Sequence, residues 1–422
     1  MAGKLSAQGF TPVWARASRA AAAMIAATAL AACSDANSAG AGADAGIGAD
    51  AGAGGNDASF GESASRAAFT ANLAEAVIVP TYEAFSESTD VLVASAAAWQ
   101  ASGDAADLLA LQDAWRQAAA EWQRAEMFQF GPAGAMALAV GGEDLRDLLY
   151  SWPIDNPCRV DQELVDAQFS EGLSGYAVNV RGLDAMEYLL FGDASANACS
   201  PNSRINRDGS WEALGASVRA THRADYALAL AQQLQQDAAT LLGWWSADGG
   251  DFLREIRDAG QGSATFGTER EALNALTDAL FYLEKETKDM KLAVPLGLID
   301  CTTAACPERV ESAHAGASLD HVRANLLGFD ALFAGTEDVP GFEALLTDLG
   351  AGELADRMRS ETQRAIDAID AIEMPLSVAV VQDPDAVLAV HEAVASVVRD
   401  LKTQFITTLD VEIPQRAEGD ND

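Results

Sequence analysis

The stretch 181–192 carries two carboxylates three residues apart, Asp184 and Glu187, among side chains that are mostly apolar. The apolar residues recur at helical spacing and a glycine follows them, so the stretch predicts one short buried helix ending near Gly192. Residues three apart on a helix share a face, so both carboxylates point the same way. Burying two like charges costs free energy unless a cation, an arginine or a raised pKa offsets it.

Carboxylate oxygens are the ligands that hard cations prefer, so Asp184 and Glu187 would suit ferric iron, calcium or magnesium. Two carboxylates do not fill a coordination shell, and four further side chains are candidates to complete it: Glu126, Asp144, Asp320 and His314. The competing interpretation is structural. In that case the two carboxylates pair with one of three arginines and lock helices together: Arg116, Arg181 or Arg323.

Hydrolytic chemistry has little support among the residues. The sequence contains neither the His-Glu-x-x-His pattern of zinc peptidases nor the Gly-x-Ser-x-Gly turn of serine hydrolases. His314 and His321 are seven residues apart and would share a face only if one helix covered both. Single histidines are more often surface or packed residues than ligands, and this applies to all four in the chain: His222, His314, His321 and His391. No catalytic residue is therefore predicted.

The beginning of the chain has the composition of a targeting segment. Residues 1–32 contain basic residues followed by an alanine-rich run that is too short to remain as a membrane span. Residues 30–33, Leu-Ala-Ala-Cys, are similar to the lipobox of bacterial lipoproteins, in which Cys33 would become the acylated N-terminus. A plain secretory signal with a chance cysteine is the alternative. Residues 33–62, rich in Gly, Ala and Asp, predict a flexible tether.

These features predict where the protein works. Cys33 would anchor the chain in a membrane, and Ser34 after it favours sorting to the outer membrane in bacterial lipoproteins. We therefore expect an outer-membrane lipoprotein of the cell envelope that faces the periplasm. The formal net charge of −36 argues against a nucleic-acid partner and against lying flat on anionic lipid. Solubility or salt adaptation explains that charge better than cation attraction.

Four cysteines remain besides Cys33, and an even number in an exported protein favours two disulfides. Pairing of nearest neighbours predicts Cys158–Cys199 and Cys301–Cys306. A zinc site built from all four cysteines is the alternative, but no Cys-x-x-Cys pair is present.

Helical periodicity dominates from about residue 63, and no convincing alternating strand pattern follows, so the chain is predicted to be all-α. Pro80 lies inside the first long helix and is expected to kink it. The polar loop 193–210 separates the 181–192 helix from a long helix at about 211–246. A later helix is expected to end in three lysines that suit a helix C-terminus: Lys285, Lys288 and Lys291.

Several blocks in order resemble the imelysin-like family of bacterial envelope proteins. The sequence Gly182-x-Asp184-x-x-Glu187, followed by Tyr-Leu-Leu-Phe-Gly, resembles the family's signature helix, whose usual motif is Gly-x-His-x-x-Glu. Asp184 thus stands where the family has histidine. Further blocks similar to the family lie at 77–85, 126–131, 288–297 and 318–329, and the resemblance covers about residues 65–412.

The resemblance implies an all-α fold of two fused helical bundles. The predicted organisation is a signal peptide at 1–32, a tether at 33–62, a first bundle at 63–205 that includes the 181–192 helix, a second bundle at 206–415 and an acidic tail at 416–422. The resemblance implies two functions: capture of a metal ion or metal complex in iron uptake, with iron favoured over calcium or zinc, or a metallopeptidase. A helical partner-binding scaffold without chemistry is the third possibility. Iron-transport components would be the partners in the first case.

Overall fold

The structure is a computed structural model that describes residues 65–414. The predicted signal peptide, the tether, Cys33 and the acidic tail lie outside the described residues, so those predictions stand as made. None of the helices between residues 65 and 414 is both long and apolar enough to cross a membrane.

Helices make up nearly all regular structure in the described chain, which confirms the all-α prediction. An isolated bridge joins Gly335 to Pro340, and residues 65–414 form no strand beyond it. The α-helices are α1 (Arg66–Leu73), α2 (Val79–Ser102), α3 (Ala105–Ala125), α4 (Leu145–Leu149), α5 (Pro157–Asp166), α6 (Gly182–Phe191), α7 (Arg204–Arg207), α8 (Ser210–Leu214), α9 (Ala216–Trp245), α10 (Phe252–Arg257), α11 (Glu269–Leu280), α12 (Ser318–Ala334), α13 (Phe342–Asp348), α14 (Gly352–Asp370), α15 (Leu376–Gln382), α16 (Pro384–Asp400) and α17 (Ile406–Leu409).

Short segments of other helical types interrupt or extend these helices. Wider π-helical turns occur at Ala74–Ile78, Leu283–Ala293 and Leu401–Phe405. Tighter 3₁₀ turns occur at Glu126–Phe128, Gly131–Ala133, Gln168–Glu171, Val178–Val180 and Pro307–Arg309.

Pro80 changes the first long helix without ending it. The chain remains helical from Arg66 to Ser102, but the turn at Ala74–Ile78 just before the proline is π-helical. Proline has no N–H to donate to the preceding turn, so the backbone widens locally and leaves room for the ring. The predicted disturbance at Pro80 is therefore present as a widened turn.

The described helices belong to one compact unit with two groups of packed helices. In the first group, α2 lies between α3 and α9, and α6 packs on α3 and α9. In the second group, α14 packs on α12 and α16, the π-helical segment Leu283–Ala293 also packs on α12 and α16, and α12 packs on α3 as well. Helix α9 lies in the range predicted for the second bundle, 206–415, yet it packs on α2 and α6, which lie in the range predicted for the first bundle.

One continuous hydrophobic core runs from Ala67 to Val411 through both groups. Large aromatic side chains fill its centre, and Trp115, Trp122 and Trp245 are almost completely buried. Burial of this much apolar surface supplies most of the stabilising free energy of such a fold.

Both predicted disulfides are confirmed: Cys158 is bonded to Cys199, and Cys301 to Cys306. The first attaches α5 to the loop after α6. The second closes a short loop between the segment Leu283–Ala293 and α12.

Candidate functional site

The two carboxylates predicted to do chemistry lie on α6, a helix that is buried along almost its whole length. Its first residue, Gly182, has a φ of +84°, a conformation that L-residues other than glycine rarely adopt. A Cβ atom there would lie 2.8 Å from the carbonyl oxygen of Leu149 and 2.9 Å from Oδ1 of Asp184. Glycine is therefore required for α6 to begin beside α4.

Two buried arginines fix the ends of α6. Arg181, just before the helix, forms an ion pair with Asp237 on α9. At the other end, Arg223 of α9 donates hydrogen bonds to the carbonyl oxygens of Tyr188 at 3.2 Å and Gly192 at 3.1 Å, and also to that of Leu189. A cation at a helix C-terminus satisfies carbonyl groups that lack helical partners. The helix is thus held rigidly against α9.

Asp184 is buried, and both of its oxygens are bonded to one serine. Oδ2 lies 2.5 Å from the hydroxyl of Ser151, and Oδ1 accepts the backbone N–H of Ser151 at 3.2 Å. Burial raises the pKa of Asp184 to about 7, although the hydrogen bonds from Ser151 lower it; the charge of Asp155 adds to the rise. The Asp184 carboxyl group therefore changes charge near neutral pH.

Glu187 is buried one helical turn further along α6. Its Oε1 accepts the backbone N–H of Ala315 at 2.8 Å. Burial raises the pKa of Glu187, and the hydrogen bond from Ala315 opposes that rise. Among the described residues, no basic side chain forms an ion pair with Asp184 or Glu187.

Both carboxylates line one cleft of about 600 Å³. Its wall is rich in acidic and aromatic side chains, with His314 and Arg309 also present: Tyr150, Trp152, Asp155, Asp184, Glu187, Tyr188, Asp300, Glu308, Arg309 and His314. The volume is typical of sites that hold a small molecule.

The structure brings only part of the predicted ligand set to the cleft. His314 lies in the cleft wall, with its ring 5.1 Å from that of Tyr188, and partial desolvation lowers its pKa. Asp320 is exposed in the first turn of α12 and does not line the cleft. Asp144 lines a smaller neighbouring pocket. Glu126 is completely buried in an ion pair with Arg146 at 2.8 Å.

The arginines considered as structural partners are also engaged elsewhere. Arg181 pairs with Asp237, and Arg323 pairs with Asp370 at 2.7 Å. Arg116 donates to the carbonyl oxygen of Ala315 at 2.9 Å and lies over the ring of Phe191. The competing interpretation, in which an arginine pairs with the carboxylates of α6, is therefore wrong, since serine and backbone groups bond them instead.

A buried ionic cluster lies behind the cleft, and sequence reasoning missed it. The ammonium of Lys291 is 3.1 Å from Oε1 of Glu311 and 3.6 Å from Oε2 of Glu126. The same ammonium donates to the side-chain oxygens of Gln123 at 2.6 Å and Asn325 at 2.9 Å. Burial alone would raise the pKa of Glu311, but the Lys291 charge lowers it below its usual value.

Glu311 links this cluster to the cleft. Its Oε1 accepts a hydrogen bond at 2.7 Å from the hydroxyl of Tyr150, whose side chain lines the cleft. The next residue, Ser312, has a φ of +49°, and Ala315 three residues later donates to Glu187. The hydroxyl of Ser318 donates to the carbonyl oxygen of Glu311. Glu311 therefore anchors the loop that forms the Glu187 side of the cleft.

A bare metal ion would find an incomplete set of ligands here. Between residues 65 and 414, no three His, Cys, Asp or Glu side chains are arranged so that they could share a metal ion. Asp184 and Glu187 supply carboxylate oxygens from one helix face, which is part of a coordination shell. A cation that arrives with ligands of its own would fit this donor set better.

The fold and the cleft define an all-α protein of packed helical bundles with a carboxylate pair on a rigid central helix. The family model for imelysin, peptidase family M75, matches residues 78–404. This chain belongs to the imelysin family.

Two solved structures are similar to the chain. An imelysin-like protein from Psychrobacter arcticum 273-4 is 18% identical, with a TM-score of 0.64 over 82% of this chain and 96% of that one. A Parabacteroides distasonis ATCC 8503 protein, named as an iron-regulated protein A precursor, is 20% identical, with a TM-score of 0.64 over 82% of this chain and 95% of that one. At these identities both show the fold alone. No curated protein matches the chain.

Proposed function

We propose that this imelysin-family protein captures a metal complex, with iron as the favoured metal, in the cleft at Asp184 and Glu187. The observation that carries the proposal is the position of the two carboxylates. They are buried on a helix that arginines hold at both ends, they face a cleft of about 600 Å³, and no basic side chain between residues 65 and 414 forms an ion pair with them. A cationic centre in the cleft would offset the cost of ionising them.

The donor set favours a metal complex over a bare ion. Carboxylate oxygens are suitable ligands for ferric iron. Two of them leave most coordination positions open, and a complex that brings its own ligands needs fewer from the protein. The cleft volume also exceeds what a single ion requires.

The cell envelope is the proposed location. Two disulfides fit an oxidising compartment outside the cytoplasm. The Leu-Ala-Ala-Cys sequence that ends at Cys33 supports a periplasm-facing, outer-membrane lipoprotein. The name of the Parabacteroides distasonis protein refers to iron regulation, which supports iron rather than another metal. Components of iron transport would then be the partners.

Metal binding by the full chain tests the proposal. The probes are ferric nitrilotriacetate, a complex with open coordination positions, and Ca²⁺ and Zn²⁺ alone, each measured by isothermal titration calorimetry at pH 8. We expect wild type to bind ferric nitrilotriacetate and Asp184→Asn to bind it at least tenfold more weakly. Asp400→Asn is the matched control, since Asp400 is a buried aspartate on α16 that pairs with Arg357 and lies outside the cleft lining.

The pH dependence separates a cleft carboxylate from other sites. Protons compete with the metal for the same oxygens, so affinity should rise between pH 6 and pH 8 as Asp184 loses its proton. This rise should be absent in Asp184→Asn. Equal binding by wild type and Asp184→Asn, or no binding of any probe by wild type, would overturn the proposal.

A further inference from the structure

A second feature lies on the surface away from the carboxylate pair. Residues 131–142 read Gly-Pro-Ala-Gly-Ala-Met-Ala-Leu-Ala-Val-Gly-Gly and contain no polar side chain. In the middle of this loop, Met136 is 64% exposed, Leu138 is 74% exposed and Val140 is 46% exposed. Scattered apolar residues on a surface are ordinary, but three exposed apolar residues at alternate positions of one loop concentrate apolar surface there.

The loop is held in place at both ends. Gly131 and Gly141 pack so closely on the ring of Phe252 that a Cβ atom would lie 2.2 Å and 2.6 Å, respectively, from its carbon atoms. The backbone N–H of Met136 donates to Oδ1 of Asp144 at 2.7 Å, and the N–H of Asp144 donates to the carbonyl oxygen of Gly134 at 3.1 Å. Because these contacts fix the loop, its apolar side chains cannot turn inward without breaking them.

A groove of about 290 Å³ runs beside the loop. Leu138 and Val140 of the loop and Ala275 of α11 line the groove, and most of its lining surface is apolar. The rim carries three carboxylates, from two different parts of the chain: Glu271, Asp278 and Glu412. An apolar groove with an acidic rim fits a ligand that is apolar in the middle and basic at its edges.

We propose that the loop 135–140 and this groove form a docking surface for a segment of a partner protein whose apolar side chains are flanked by lysine or arginine. Leu138 and Val140 contact the apolar side chains of the partner. Glu271 and Glu412 face its basic residues. Docking removes the exposed apolar surface from water, and the opposite charges set the orientation.

Charge favours this occupant over two others. The chain has a formal net charge of −36, so an anionic membrane surface would repel it. A second copy of the chain would bring one acidic rim against another, and like charges at an interface oppose association. A basic, amphipathic protein segment is not repelled by the acidic rim and is attracted to it instead.

The probe is a fluorescently labelled 15-residue amphipathic peptide of leucine and lysine. Its fluorescence anisotropy is measured as the full-length protein is added. Leu138→Asp places a charge at an exposed position, so the fold should be kept, and we expect at least tenfold weaker binding. Leu109→Asp is the matched control, because Leu109 is an exposed leucine on α3, outside the groove. Glu412→Gln should weaken binding at low salt, and this difference should shrink at 0.5 M NaCl.

Four outcomes would overturn the proposal. The first is no saturable binding of the peptide, and the second is equal weakening by Leu109→Asp, which would show that the loss is not specific to the groove. The third is wild-type binding to phosphatidylcholine vesicles that Leu138→Asp abolishes, which would assign the patch to a membrane. The fourth is a dimer in sedimentation velocity that Leu138→Asp dissociates, which would assign the patch to a second copy.

Discussion

The hydroxyl of Ser151 lies 2.5 Å from Oδ2 of Asp184, and the backbone N–H of the same serine donates to Oδ1. One residue thus bonds both oxygens of a buried carboxyl group. The ionised form accepts both hydrogen bonds, and the neutral form can donate its proton to the serine oxygen. Both charge states are therefore compatible with the fold, which suits a group that binds a cation and releases it.

The first prediction concerns Asp184→Asn and pH. The pKa of Asp184 rises from 3.8 to about 7 in the folded chain, so the folded state holds the proton more tightly than the unfolded state. The stabilisation from that proton is complete below about pH 4 and is lost as pH rises through about 7. Between pH 5 and pH 8 we expect the unfolding free energy of wild type to fall by about 2–3 kcal/mol relative to Asp184→Asn.

Urea unfolding at the two pH values measures this difference. Asp113→Asn, which changes an exposed aspartate on α3, serves as the control and should follow the wild-type pH profile. If the unfolding free energies of wild type and Asp184→Asn change equally between pH 5 and pH 8, Asp184 does not titrate in this range.

The second prediction concerns the buried pair of Lys291 and Glu311. Lys291→Met leaves the Glu311 charge buried without its ammonium, so we expect a loss of about 3–5 kcal/mol in unfolding free energy at pH 7. The pair lowers the pKa of Glu311, so its stabilisation is present above the ordinary carboxyl pKa and is lost as pH falls below it. The loss in Lys291→Met should therefore be smaller at pH 4.

The double variant Lys291→Met with Glu311→Gln should recover part of the loss, because it removes the unpaired charge. Lys285→Met is the control, since Lys285 lies on the same π-helical segment with a side chain that is 39% exposed. A double variant less stable than Lys291→Met would mean that the ion pair does not hold Glu311 in the core.

The helix around Asp184 could be predicted from sequence because its signal is local. Apolar spacing and a terminal glycine describe a helix in ten residues, and the structure has it at Gly182–Phe191. The partners of its carboxylates could not be predicted, since Ser151 is 33 residues away and Ala315 is 128 residues away. The negative charges alone suggested arginine partners. In the structure, hydrogen bonds from a serine and from backbone N–H groups stabilise the buried carboxylates without a full positive charge.

Lys291 shows why the buried cluster was missed. The lysines at 285, 288 and 291 were predicted as cations suited to a helix C-terminus, with no sign of a buried partner, yet Lys291 is only 1% exposed. A lysine is almost never completely buried unless it is paired, and its partners, Glu126 and Glu311, come from distant parts of the chain. Arg223 was missed for the same reason, since it caps α6 from a different helix.

The third prediction concerns the membrane anchor. If Cys33 is acylated, Cys33→Ser should release the protein into the soluble periplasmic fraction, because residues 34–62 contain almost no large apolar side chain that could bind lipid. Fractionation after a high-salt wash, followed by immunoblotting, measures the distribution. Ser34→Ala, which keeps the cysteine, is the control and should remain with membranes. Sedimentation of Cys33→Ser with membranes would contradict the assignment of the anchor.

The last prediction compares the two disulfides. Cys158–Cys199 joins residues 41 apart, whereas Cys301–Cys306 joins residues 5 apart. A crosslink that closes a longer loop removes more conformational entropy from the unfolded chain, so the first should stabilise by about 4 kcal/mol and the second by about 2 kcal/mol. Each bond is removed with a double cysteine-to-serine variant, and urea unfolding at pH 7 gives the two losses.

The Cys158–Cys199 bond has a second role that the same variants can separate. Next to it, the backbone N–H of Ala198 donates to Asp161 at 2.7 Å, and Asp161 accepts the hydroxyl of Tyr188 at 2.8 Å. Tyr188 lines the cleft, so the bond holds the loop that supports this wall. Removing Cys158–Cys199 should therefore weaken binding of ferric nitrilotriacetate as well as lower the stability. Equal stability losses from both variants would show that loop length does not control the stabilisation.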